Sequence, residues 1–203
     1  MTTIDKSILN RIRGSGAGSV FAPNQFLDLG NRSSVGVALH RLVNAGKIRR
    51  IRRGLYDLPR SHPITGQTAP NIMATVQALM DGSQSQWLFT GAYAANALGL
   101  SDQVPAKIII LTAGVPRRVM LGKLTLVFRR ASPRNLLGAG RRAGLVIQAL
   151  RYLKGSPDMS QHAARLKKSL DAATKKDLAA LTTKLPAWMQ PVAQQIVGSK
   201  NLN

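Results

Sequence analysis

A chain of 203 residues, 44% of them apolar, is long enough for one or two domains with real cores. Its 29 Lys and Arg face only eight acidic residues, all aspartate, for a formal charge of +21 and a pI near 11.7, so a nucleic acid or another acidic surface is the natural partner. The absence of cysteine excludes disulfides and thiolate metal sites and suits a cytoplasmic protein, and neither a signal-peptide core nor an apolar run of membrane-spanning length occurs.

Ile4, Ile8, Leu9 and Ile12 recur at helical spacing, which predicts a first helix over 4–13 with Thr3 as its N-cap. Residues 14–19 are rich in glycine and serine, but they follow a helix and lack the Gly-Lys-Ser/Thr ending of a phosphate loop, so they read as a turn. Ser19, Val20 and Phe21 form a short strand able to pair with a later hairpin. Pro23 then opens a short helix carrying Phe26, Leu27 and Leu29 and closed by Gly30.

The next segment has the strongest periodicity. Val35, Ala38, Leu39, Leu42 and Val43 make one apolar helical face, with Asn31 as N-cap and Gly46 as stop, which predicts a helix over 32–45. Opposite that face stand Ser33, Val37, His40, Arg41 and Asn44, with Arg32 and Ser34 on the first turn. Residues 47–58 contain two β-prone runs separated by Arg-Arg-Gly, a hairpin with five cations in seven positions: Lys47, Arg49, Arg50, Arg52 and Arg53. Alternation leaves open which of these arginines point outward, and the tip pair Arg52 and Arg53 is the favoured expectation.

Helix, strand, two helices and a basic hairpin make a winged helix-turn-helix. A helix fits the DNA major groove, where arginine bonds guanine and a small apolar group touches a thymine methyl; wing arginines contact phosphate or enter the minor groove. The candidate DNA-binding residues are therefore Arg32, Ser33, Ser34, Val37, His40, Arg41, Lys47, Arg49, Arg50, Arg52 and Arg53.

The turn-forming stretch 60–66 is the expected boundary, giving a winged-helix domain over 1–60 and a second domain over 67–203. In the second, residues 72–80 predict a helix ending at Asp81-Gly82, Trp87 to Phe89 a short strand, and residues 90–100 a small-residue helix with a glycine stop. Lys107 to Thr112 is the strongest strand, and residues 117–128 form a hairpin about Leu121-Gly122. The last third is helical, with a capping box expected at Thr174 to Asp177. The fold class expected is α+β: a winged helix-turn-helix followed by a mixed α/β domain with a helical C-terminal third.

Four segments together resemble the AbiEi-type antitoxins of bacterial type IV toxin–antitoxin systems: Arg41 to Arg50, Arg53 to Asp57, Gly91 to Leu100 with its Asn96, Leu98, Gly99 and Leu100, and Leu185 to Met189. They span most of the chain. The resemblance implies an N-terminal winged helix that represses its own promoter at inverted repeats and a C-terminal domain that supplies antitoxicity; a palindromic site can be filled by a dimer or by two monomers. The antagonist implied is a nucleotidyltransferase-like toxin, neutralised without a stable complex.

Three other classes compete with this reading. Metal-dependent phosphoryl chemistry needs gathered carboxylates, and the eight aspartates never form a close pair in sequence, nor do His40, His62 and His162 have metal-ligand spacing. No catalytic residue, metal or cofactor is expected. RNA recognition by stacking is disfavoured by 4% aromatic content. An ordinary winged-helix regulator with a ligand-sensing second domain is not separable from an antitoxin on these residues.

Overall fold

The computed structural model describes residues 2–198 apart from Thr65 and Gly82, so the expected Gly82 stop lies outside the described residues. The chain divides into two units, residues 1–84 and 85–203. Helix 72–80, expected in the second domain, belongs to the first unit.

Helix α1 (Thr3–Gly14) begins on Thr2, not on Thr3. The reason is a reciprocal capping box, in which the Asp5 amide donates to the Thr2 hydroxyl and the Thr2 amide to the Asp5 carboxylate at 2.9 Å. Strand β1 (Val20–Phe21) follows the glycine-rich turn. The proline-initiated segment is a single 3-10 turn (Pro23–Phe26) where a short α-helix was expected. Its apolar run is too brief to propagate an α-helix, and only Phe26 becomes buried.

Helix α2 (Arg32–Asn44) is capped by Asn31, whose side chain accepts from the Ser34 amide at 2.9 Å. It ends in a Schellman motif: Lys47 N–H reaches the Leu42 carbonyl and Gly46 N–H that of Val43, with Gly46 at φ +63°. That reversal drops Ile48 into the core and starts β2 (Arg49–Arg52), which pairs antiparallel with β3 (Leu55–Asp57). β1 adds to the other edge of β3, giving the order β1-β3-β2. The core beneath is Ile8, Leu9 and Ile12 of α1 against Val35, Leu39 and Leu42 of α2, closed by Phe21, which meets Phe26 edge-on and stacks parallel on Tyr56. This is the arrangement of a winged helix-turn-helix, with β2 and β3 as the wing. The unit is completed by the pair β4 (Ser61–His62) and β5 (Gly66–Gln67) and by α3 (Ile72–Met80), which packs against β1.

The second unit is built on a four-stranded mixed sheet of β6 (Trp87–Thr90), β7 (Lys107–Thr112), β8 (Arg117–Leu121) and β9 (Leu124–Arg130), in the order β6-β7-β9-β8. β7 and β9 are parallel; the other neighbours are antiparallel. Helix α4 (Ala92–Ala97) presents Ala94 and Ala95 to α5 (Arg142–Tyr152), and both join α6 (Met159–Ser169), α7 (Ala172–Leu181) and α8 (Gln190–Val197) in one apolar cluster. The start of α7 corrects the expected capping box at Thr174 to Asp177. Asp171 is the N-cap, accepting from the Thr174 amide at 2.7 Å, while Thr174 is buried within the helix and Asp177 pairs with Arg141. Starting one turn earlier buries Leu178 and still satisfies an orphan amide.

Candidate nucleic-acid interface

The outward face of α2 and the wing form one basic surface. Val35, Ala38, Leu39 and Leu42 are buried, which turns Arg32, Ser33, Ser34, Val37, His40, Arg41 and Asn44 to solvent. Val37, at 46% exposure, is an apolar side chain among polar ones.

Four of these side chains carry commitments. Ser34 donates its hydroxyl to the Asn31 side chain at 2.9 Å, so it serves the helix cap. His40 and Asn44, one turn apart, lie 3.2 Å from each other. Arg41 stands 3.8 Å from Asp5, a fully buried carboxylate, yet keeps half its own surface in solvent.

The wing separates its arginines into two kinds. Arg49 faces inward: its Nε donates to Asp57 Oδ1 at 3.0 Å, and its Nη2 donates to Asp57 Oδ2 at 2.6 Å and to the Thr68 carbonyl at 3.0 Å. The Asp57 carboxylate raises the pKa of this guanidinium against the opposing effect of burial. Arg49 is thus a structural clamp across β2 and β3, and sequence alternation alone could not distinguish it from its neighbours. A register shift between Arg50 and Arg52 leaves Ile51 half-buried and both arginines exposed, and Gly54 at φ +73° closes the tip beside Arg53.

A trough of about 520 Å³ runs between the 3-10 turn, the start of α2 and the wing. Arg32, Arg50 and Arg53 line it together with Gly36, Asn24 and Tyr56, and no carboxylate does. Charge around it is uncompensated. The four aspartates of this unit are occupied elsewhere: Asp28 by Arg11, Asp57 by Arg49, Asp5 by Thr2 and Arg41, and Asp81 by Gln25. Among the described residues, Arg32, Lys47, Arg50, Arg52 and Arg53 therefore have no carboxylate within ion-pair distance. Arg32, Arg50 and Arg53, which line one trough, repel one another until an anion enters.

Among the described residues no three His or Asp side chains gather as a metal site would require, and no helix is long and apolar enough to cross a membrane.

No curated protein matches the chain in sequence. Among solved structures it is similar to the Rv2827c protein from Mycobacterium tuberculosis, at 15% identity over 97% of this chain and 81% of that one, with a TM-score of 0.44. The family DUF6088, described as a family of unknown function, matches residues 7–178, and the chain belongs to it.

Proposed function

We propose that this protein is a sequence-specific DNA-binding antitoxin that represses its own operon and antagonises a nucleotidyltransferase-like toxin. The observation that carries the DNA-binding part is the set of five cations without a carboxylate partner on α2, the turn that follows it and the wing. The antitoxin part rests on the resemblance of four segments, 41–50, 53–57, 91–100 and 185–189, to AbiEi-type antitoxins.

In this reading α2 enters the major groove, with Arg32, Ser33, Val37, His40 and Arg41 toward base edges. Arg50, Arg52, Arg53 and Lys47 follow the phosphates, and each phosphate neutralised contributes about 0.9 to the slope of log affinity against log salt. Arg49 and Ser34 contribute by holding the wing and the helix start in place.

The test is a salt titration of binding to the DNA upstream of the gene, with a scrambled duplex of equal length as control. Preference for the upstream duplex that survives rising salt is expected. Equal binding to both, collapsing together, would remove the sequence-specific reading. Growth rescue on co-expression with a nucleotidyltransferase-like toxin tests the antitoxin half.

A further inference from the structure

Strand β8 forms one edge of the second unit's sheet. It closes on β9 through the two-residue turn Gly122-Lys123, with Leu121 opposite Leu124 and Gly122 at φ +59°. A two-residue turn makes its flanking pair a hydrogen-bonded one, and such pairs alternate along the ladder. Leu121, Val119 and Arg117 therefore direct their backbone groups to β9, whereas the N–H and C=O of Arg118 and Met120 point away from it. β9 shows the same alternation from its other side: the Thr125 N–H, opposite Met120, donates to the Ala106 carbonyl just before β7 at 3.0 Å.

Among the described residues no further strand lies beside β8, so this edge offers two backbone donors and two acceptors. The side chains along it are equally open. Met120 is 71% exposed and Arg118, two residues away on the same face, is exposed too, while Val119 between them is buried. Lys123 in the turn and Arg129 and Arg130 at the end of β9 are exposed as well. No acidic residue occurs in the sequence between Asp102 and Asp158. Among the described residues none of Arg118, Lys123, Arg129 and Arg130 has a carboxylate within ion-pair distance.

We infer that the β8 edge takes up an extended acidic segment of a partner protein as a fifth strand, with a carboxylate opposite Arg118 and, two residues along, an apolar side chain opposite Met120. An added strand supplies acceptors for the two N–H groups and donors for the two carbonyls. Cross-strand neighbours about 5 Å apart bring the carboxylate to the guanidinium and cover the methionine. The phosphate backbone of duplex DNA meets only half of this, because it accepts from the N–H groups and has nothing to donate to the carbonyls. A second copy would set two units, each with 18 Lys and Arg against four Asp, edge to edge. Cations on a sheet edge oppose such like pairing, but they do not bar an acidic strand. The inference goes beyond the proposed function and does not rest on it, since it concerns a protein contact of the second unit.

The experiment uses the full-length chain, without DNA, and the end-blocked peptide Thr-Glu-Thr-Val-Thr-Glu-Thr, which sets a carboxylate two residues from valine in either strand direction. Its lysine counterpart, Thr-Lys-Thr-Val-Thr-Lys-Thr, and two forms of the Glu peptide, N-methylated on one or the other set of alternate amides, complete the series. Affinities are measured by isothermal titration. The expected result is saturable binding of the Glu peptide and none of the Lys peptide. Only one set of alternate amides faces β8, so methylating that set should weaken binding at least about tenfold, and methylating the other by less than about threefold. Arg118→Glu should reverse the preference to the Lys peptide, whereas Lys184→Glu, the same charge change outside the sheet, should not. Met120→Pro removes an edge N–H that the β8–β9 ladder does not use, and should weaken binding at least about tenfold; if that variant fails to melt cooperatively, Arg118→Glu and the methylated peptides decide. Absence of Glu-peptide binding, equal losses from both methylated forms, or an unchanged preference in Arg118→Glu overturns the inference. A dimer in sedimentation that Arg118→Glu or Met120→Pro dissolves assigns the edge to a second copy and overturns it too. Because no DNA is present, none of these outcomes bears on the duplex titration, and failure of that titration leaves the edge assignment standing.

Discussion

Arg49 and Asp57 face each other across the wing as a two-point pair, Nε to Oδ1 and Nη2 to Oδ2, with the carboxylate almost entirely buried. Removing one partner of such a pair leaves an uncompensated charge inside the fold, which costs several kcal/mol. Arg49→Ala is therefore expected to destabilise the protein by about 3 kcal/mol, read by urea denaturation, with Arg49→Lys intermediate because a point charge cannot reproduce the fork. Arg52→Ala, at the exposed end of the same strand, should shift stability by less than about 0.5 kcal/mol. Equal stability of the two alanine variants would refute the inward assignment of Arg49.

The division between helix and wing predicts two kinds of binding defect. Arg32→Ala and Arg41→Ala should lower the preference for the upstream duplex over the scrambled one. Val37→Ser should cost about 1 kcal/mol of that preference if a thymine methyl is its partner. Arg52→Ala and Arg53→Ala should weaken binding to both duplexes alike and make the salt slope shallower by about 0.9 for each phosphate no longer neutralised. Parallel defects in both sets would mean that α2 does not read bases.

What could be read from sequence was whatever periodicity and punctuation control. The apolar stripe from Val35 to Leu42, the Asn31 cap and the Gly46 stop define α2 without tertiary help, and the β7 run is equally plain. What could not be read depends on partners far apart in the chain. Arg49 differs from Arg50 only because its strand register puts it opposite Asp57 and brings it to the Thr68 carbonyl. Thr2 and Asp171 displace the expected caps because competing side chains three residues from an acceptable amide were each chemically adequate. The parallel pairing of β7 with β9 was not legible either, because β8 lies between them in the chain.

Two glycines in helices predict opposite outcomes. A Cβ on Gly36 of α2 meets nothing within 4 Å, so Gly36→Ala should stabilise the helix by up to about 1 kcal/mol. The same methyl narrows the trough it shares with Arg32, Arg50 and Arg53, so DNA affinity should fall while melting temperature rises. Gly144 of α5 packs against the backbone of Gly138, and a Cβ there collides with the Gly138 carbonyl oxygen. Since backbone cannot swing aside as a side chain can, Gly144→Ala is expected to cost about 3 kcal/mol or more, at the upper end of overpacking effects. A thermal melt of each variant and a titration of Gly36→Ala with the upstream duplex decide both.

Asp5 predicts a pH dependence with a definite sign. Burial pushes its pKa up, but hydrogen bonding to Thr2 and the charge of Arg41 outweigh that and hold it below the ordinary value of 3.8. A carboxylate whose pKa is depressed by folding contributes stability above its unfolded value and loses that contribution as pH falls through its folded value. Asp5→Asn keeps the shape and removes the charge, while Asp28 and Asp171, whose pKa values are also lowered, titrate alike in both proteins and cancel in the difference. The stability of wild type over Asp5→Asn is therefore expected to stay constant from about pH 7 to pH 5 and to shrink below about pH 4, where the carboxylate begins to protonate. Urea denaturation at half-unit pH intervals measures it. A difference that persists undiminished to about pH 2 would mean that Asp5 acts through its geometry at the helix start and not through its charge.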